Sequence, residues 1–178
     1  CEELVPYRPC FVEDPLRAEN ISCYRQLRAR TAGPLAAGEQ FASKWEFAPL
    51  IEEDLIDYAR VDLCIAGGIT EALKIVGWCE AHHIALAVHN PLGPVSTAAC
   101  VHLNLATPVA VLQEQPRDPA ELLSDIVAGL PTWEDGFLFA NEAPGLGITF
   151  DCEAARARPM RMRELPHLHR EDGSLTNW

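Results

Sequence analysis

Five short apolar runs in this chain each end in an ionisable residue, and the five ends are evenly spaced. They are Glu13, Glu39, Asp62, His89 and Glu114, at separations of 26, 23, 27 and 25 residues. Longer segments of helical period lie between the runs, which is the pattern of a parallel sheet with crossover helices. A β/α unit of this length with a polar group closing every strand is what a (β/α)8 TIM barrel produces, because the barrel builds its active site at the C-terminal ends of its strands. The fold class is therefore α/β, with about five of the eight strands of a barrel. An open doubly wound sheet also places ligands at carboxyl strand ends. No GxGxxG or GxxxxGK follows any strand here, and the Gly67-Gly68 pair alone reads as a tight turn.

The strands are expected at residues 10–12, 35–37, 58–61, 84–88 and 109–112. Helices are expected over residues 20–30, from a Ser43 cap through Phe47, Leu50 and Ile51, from Gly67-Gly68 to His82-His83 with Ile69, Leu73, Val76 and Cys79 inward, and over residues 96–105. After Glu114 the pattern changes. Pro116-Arg117-Asp118-Pro119 reads as a linker, residues 120–128 as a helix, and residues 136–140 and 146–150 as short strands around the Pro144-Gly145 turn. Residues 154–178, with Arg156, Arg158, Arg161 and Arg163, read as an extended surface strap of solvated or ion-pairing charge. This divides the chain into a partial barrel, 1–115, and a C-terminal segment, 116–178, that packs on it.

Charge narrows the function. Acidic side chains number 26 against 14 basic ones, for a net charge of −12. Such a surface repels phosphate backbones and anionic lipid, so neither nucleic acid nor membrane is an expected partner. The seven scattered cysteines form no CxxC pair and read as small buried hydrophobes. Cys79-x-x-His82-His83 has the nearest approach to zinc spacing, but it closes an amphipathic helix, where His at the C-terminus is favoured on its own account.

The strand ends suggest chemistry. Glu13 and Glu39 close adjacent strands and offer hard oxygen ligands of the kind Mg²⁺ takes, although two are few. Asp62 and His89 close the next two, so the carboxylate can hold the imidazole in one tautomer as an acid/base dyad. Glu114, one strand on, is placed to bond a substrate or protonated His89. A cation on one side and a histidine on the other suit removal of a proton next to a carboxylate, with the cation stabilising the resulting ene-diolate.

The segments FVEDPLRAEN, PLAAGEQF, VDLCIAGGITEALKI, AVHNPLGPVSTAACVHL, VLQEQ, PGLGI and REDGSLTNW resemble, in that order, the C-terminal part of the mandelate racemase branch of the enolase superfamily. The likeness is strongest to sugar-acid dehydratases of the galactonate dehydratase type. It implies an enolase-superfamily barrel and a Mg²⁺-dependent hydro-lyase converting an aldonate to a 2-keto-3-deoxy acid through an ene-diolate. Glu13 and Glu39 would be metal ligands, Asp62 and His89 the dyad, Glu114 a further catalytic acid and Asp14 an outer neighbour. Mannonate dehydratases share the strand style of EDPLR, but the acidic Asp62 favours the galactonate type. The resemblance also implies a cytoplasmic enzyme that assembles as a homo-oligomer.

Members of this family carry an N-terminal capping domain and a third barrel strand that supplies the first metal ligand, an Asp, with a nearby His. None of these precedes Cys1, so residues 1–178 alone are expected to lack turnover. A racemase or epimerase of the same superfamily, or a non-catalytic barrel protein, are the alternatives.

Overall fold

The computed structural model describes residues 1–91, 93–162 and 167–176. Five parallel strands form one sheet in sequential order: β1 (Val12–Glu13), β2 (Leu35–Ala37), β3 (Tyr58–Ala59), β4 (Ala85–Val88) and β5 (Ala110–Gln113). The register pairs Glu13 with Ala36, Ala37 with Ala59 and Val88 with Gln113, so every strand runs the same way and all five carboxyl ends lie on one side. Between the strands run α1 (Ser22–Arg28), α2 (Lys44–Glu52), α3 (Leu63–Ala66), α4 (Ile69–Ala81) and α5 (Pro94–Leu105). This is a partial barrel of β/α units.

The core fills the space between sheet and helices. Phe47, Leu50 and Ile51 of α2, Ile75, Val76 and Cys79 of α4 and Cys100 and Leu103 of α5 pack with Ala37, Ala59, Leu86 and Val88 of the strands. Burying a Leu, Ile, Phe or Val side chain stabilises by roughly 1.5–3 kcal/mol each, so this layer holds the strand ends in place. The α4 face is rotated from expectation. Ala72, Ile75, Val76 and Cys79 are buried, whereas Ile69 and Leu73 are exposed. The buried set follows the 3.6-residue period with Ala72 at its centre, a residue too small to stand out in the sequence.

Gly67-Gly68 is a turn between helices. Gly67 closes α3 in the left-handed region at φ 101°, and Gly68 at φ 86° begins α4. The helix α3 is absent from the sequence reading because it is a single turn. It exists because Asp62 caps it, accepting hydrogen bonds from the Cys64 and Ile65 N–H groups.

The C-terminal segment departs further from expectation. Residues 120–128 do not form a helix; a short 3-10 turn at Pro119–Glu121 leads instead to β6 (Val127–Ala128). The strands β7 (Thr132–Glu134) and β8 (Phe137–Phe139) make an antiparallel hairpin, and β6 pairs with β9 (Thr149–Phe150). The strands expected at 136–140 and 146–150 around Pro144-Gly145 are present as β8 and β9, and each pairs with a different neighbour. Residues 154–178 are not a simple extended strap: α6 (Cys152–Ala157) is capped by Asp151, and β10 (Leu168–His169) pairs with β11 (Leu175–Thr176). Arg158 pairs with Asp125. Arg163 lies outside the described residues.

The cysteines are more exposed than expected. Cys79 and Cys100 are buried, but Cys10, Cys64 and Cys152 are exposed, and all seven are free. Among the described residues no helix is long and apolar enough to cross a membrane.

Candidate active site

Each strand end delivers its side chain by a local device. Glu13 is the last residue of β1, and the Asp14 N–H extends the ladder to the Ala36 carbonyl at 2.9 Å. Asp14 itself sits at φ 38°. Glu39 follows Gly38, which turns at φ 127°, and a Cβ at Gly38 would run into the ring of Phe47. Only glycine fits between that core ring and the turn that presents Glu39. The His89 N–H bonds the Val61 carbonyl at 3.1 Å and so carries the β4 ladder one residue past Val88.

Asp62 and His89 are joined. Asp62 is 1% exposed, and its Oδ2 lies 2.9 Å from His89 Nδ1. Its Oδ1 is occupied by the Cys64 and Ile65 N–H groups at 2.7 and 3.1 Å. The helix cap thus fixes the carboxylate, and the carboxylate orients the ring. The other ring nitrogen, Nε2, lies 3.5 Å from Glu39 Oε2. The dyad and the β2 carboxylate therefore face each other across the sheet's mouth.

Glu114 does not make the contact with His89 that was one of its two expected roles. Its Oε2 accepts from Arg60 Nη2 at 2.5 Å and from the Asn90 backbone N–H at 3.1 Å. The neighbour of His89 Nε2 is Glu39, not Glu114. The reason is Arg60, which the sequence reading passed over. Only 4% exposed, it donates Nε to Glu13 Oε1, Nη1 to the carbonyls of Ala87 and Val88 at 2.9 and 3.0 Å, and Nη2 to Glu114. A signal was present, because Arg60 lies two residues before Asp62 in an otherwise apolar strand, and residues two apart share a face.

Asn90 was also missed. Its Nδ2 reaches Thr97 Oγ1, the Glu114 carbonyl and Gln115 Oε1 at 3.0–3.2 Å, stitching β4's end to β5's.

A cavity of about 780 Å³ opens at this end, lined by Glu13, Asp14 and Glu39 with Pro15, Leu16, Arg17, Ala18, Glu19 and Gln40. Asp14 records the field inside it. Burial first, then the charges of Glu39 and Glu13, push its carboxyl from 3.8 up to about 6. Such concentrated negative charge suits a hard cation, and both strand-end donors are carboxylates. Mg²⁺ retains several waters and is held through as few as one or two carboxylates. Among the described residues no group of three His, Cys, Asp or Glu is placed to hold a metal ion. Glu13 and Glu39 thus fit the donor type and supply part of a ligand set.

The Cys79-x-x-His82-His83 run takes other partners: Cys79 is in the core, where burial pushes its thiol up to about 12, and His82 Nδ1 lies 3.1 Å from Asp54 Oδ1.

With parallel β/α units and a strand-end carboxylate and histidine cluster in place, comparison with known proteins is decisive. Residues 1–155 match the family described as enolase C-terminal domain-like. The chain belongs to that family. It is 40% identical to a D-galactonate dehydratase of Ralstonia nicotianae over 98% of its own length and 48% of the relative's. It is 38% identical to a D-mannonate dehydratase of Caulobacter vibrioides over 99% of its length and 44% of the relative's. The chain thus spans about half the length of these curated relatives. Among solved structures it superposes on an enolase from Pantoea ananatis with bound D-gluconate and Mg, at TM-score 0.83 and 34% identity over 89% of this chain and 39% of that one. An enolase from Agrobacterium radiobacter bound to Na and L-malate gives TM-score 0.86 and 31% identity over 97% of this chain and 47% of that one. Membership in the enolase C-terminal domain-like family agrees with the parallel β/α architecture of the sheet.

Proposed function

We propose that this enolase C-terminal domain-like chain is the catalytic-barrel part of a sugar-acid dehydratase, a carbon-oxygen lyase acting on an aldonate. The observation that carries the reading is the His89–Asp62 pair set opposite the Glu39 carboxylate at one mouth of the sheet. The dehydratase names of the relatives support the reaction class. Galactonate and mannonate relatives are nearly equal in identity, so the stereochemistry of the substrate rests on the assay below.

Glu13 and Glu39 would hold the divalent cation, which supplies positive charge beside the substrate carboxylate and makes the neighbouring C–H more acidic. Asp62 accepts a hydrogen bond from His89 Nδ1–H, so Nε2 is the atom that takes or gives a proton at the substrate. Dehydration removes the C2 proton to a base and forms the C2–C3 double bond as the C3 hydroxyl leaves, protonated by an acid, as water. The enol product becomes the 2-keto-3-deoxy acid. His89 would carry one of the two proton transfers, and Asp62 sets its tautomer. In this reading residues 1–115 are the catalytic barrel portion and residues 116–178 pack on it.

The test is to incubate the full-length gene product with galactonate, mannonate or gluconate and Mg²⁺ in D2O. A 2-keto-3-deoxy acid that disappears with chelator and returns with Mg²⁺ is the expected result. Recovered substrate with deuterium at C2, inverted configuration and no keto acid would make it an epimerase instead.

A further inference from the structure

We infer that Arg60 is a positioning residue that clamps the carboxylates of Glu13 and Glu114 and so sets the cation site from behind. The inference rests on the reading of Glu13 as a metal ligand. Arg60 rises from just past β3, the middle strand, and its guanidinium reaches both edge strands. Nε donates to Glu13 at the end of β1 and Nη2 to Glu114 beyond β5. Nη1 donates to the Ala87 and Val88 carbonyls of β4, which fixes the plane of the fork.

The burial makes this arrangement consequential. A guanidinium 4% exposed has lost nearly all its water, and its hydrogen bonds are supplied instead by two carboxylates and two strand carbonyls. The planar five-donor fork is what allows one side chain to meet four acceptors in fixed directions; a lysine ammonium has three donors and no plane. Glu13 is 34% exposed and Glu114 31% exposed by side chain, so neither is held by packing alone. Arg60 engages Oε1 of Glu13, a residue that also lines the cavity. The Asn90 N–H grips the same Glu114 oxygen, so the far end of the clamp is anchored too.

Charge and geometry make opposite predictions here. If Arg60 acted only as a positive charge in the cavity wall, its removal would tighten cation binding. If it positions a ligand, its removal loosens binding, as loss of an outer partner of a metal ligand does elsewhere.

The experiment titrates Mn²⁺ into the full-length protein by electron paramagnetic resonance and calorimetry, comparing wild type with Arg60→Lys, Arg60→Met and Glu114→Ala, and records a melting curve for each. Positioning predicts an Mn²⁺ Kd raised about 10–100-fold in both Arg60 variants, with an altered Mn²⁺ spectrum. It also predicts a weaker Kd in Glu114→Ala, which frees the far end of the clamp without touching Glu13. An unchanged or tighter Kd in any folded variant overturns the clamp. If neither Arg60 variant folds, the Glu114→Ala Kd decides by itself. Absence of Mn²⁺ binding by the wild type overturns the metal reading and the clamp with it, whereas binding by wild type with unchanged variants sinks only the clamp.

Discussion

Replacing Asp62 by asparagine separates the two jobs that one carboxylate performs. Oδ1 caps α3 through hydrogen bonds of 2.7 and 3.1 Å, and Oδ2 orients His89 at 2.9 Å. Asn has nearly the same shape, so its oxygen can keep the cap while its NH2 faces His89 Nδ1. Two donors cannot share that bond. The ring must place its lone pair on Nδ1 and its proton on Nε2, where it can no longer accept a proton from substrate. Positioned general acid/base groups contribute about 10²–10⁴-fold, or roughly 2.7–5.5 kcal/mol of barrel-mouth catalysis. The stability loss is smaller, about 1 kcal/mol for one hydrogen bond changed. Asp62→Ala removes the cap as well, for a further 0.5–2 kcal/mol or so. The assay pairs the initial rate of keto-acid formation with urea unfolding and with nitrogen NMR of the His89 ring in the full-length protein. Asp62→Asn is expected to lose rate with its fold nearly intact and with the ring tautomer switched. A wild-type rate in Asp62→Asn, with the tautomer unchanged, would refute the dyad.

Three further outcomes follow from the same geometry. Gly38→Ala forces a side chain into a φ of 127° and against Phe47, so it should cost about 1–3 kcal/mol in urea unfolding and weaken Mn²⁺ binding by displacing Glu39; wild-type stability would show the turn is not strained. Asp14 has its carboxyl raised from 3.8 to about 6, so the folded metal-free protein holds that proton more tightly than the unfolded chain, and stability falls as pH rises through this window. Asp14→Asn should therefore gain on wild type between pH 3.8 and about 6 and hold a constant advantage above it; a difference flat across that range would refute the burial and charge argument. Burial pushes the Cys79 and Cys100 thiols up to about 12, so at pH 8 a thiol reagent read by mass spectrometry should modify Cys10, Cys64 and Cys152 first. Modification of Cys79 as fast as Cys152 in folded protein would contradict the core packing.

The sequence alone determined the class of fold and the positions of the five strand ends. Leu35–Ala37 was read with its observed bounds, and the other strands within one or two residues, because apolar runs closed by a polar residue follow from local backbone geometry and burial. It also placed Glu13, Glu39, Asp62, His89 and Glu114 at one end, since parallel strands point their carboxyl ends the same way. Period alone did not give the helix face of α4, where Ala72 counts for more than Leu73, nor the 3-10 turn and strand that replace a helix at residues 120–128, whereas the strands expected at 136–140 and 146–150 are present as β8 and β9.

Only tertiary structure decided who bonds whom at the site. Arg60 lies 47 residues from Glu13 and 54 from Glu114. Those separations carry no local signal, and the pairing exists because the sheet sets β3 midway between β1 and β5, where the long Arg60 side chain reaches the end of each. The same holds for His89, whose second nitrogen meets Glu39 rather than Glu114. Local chemistry chose the residues at the strand ends; their packing in space, across strands that are not neighbours in the sheet, chose their partners, because hydrogen bonds depend on distances that sequence spacing does not fix.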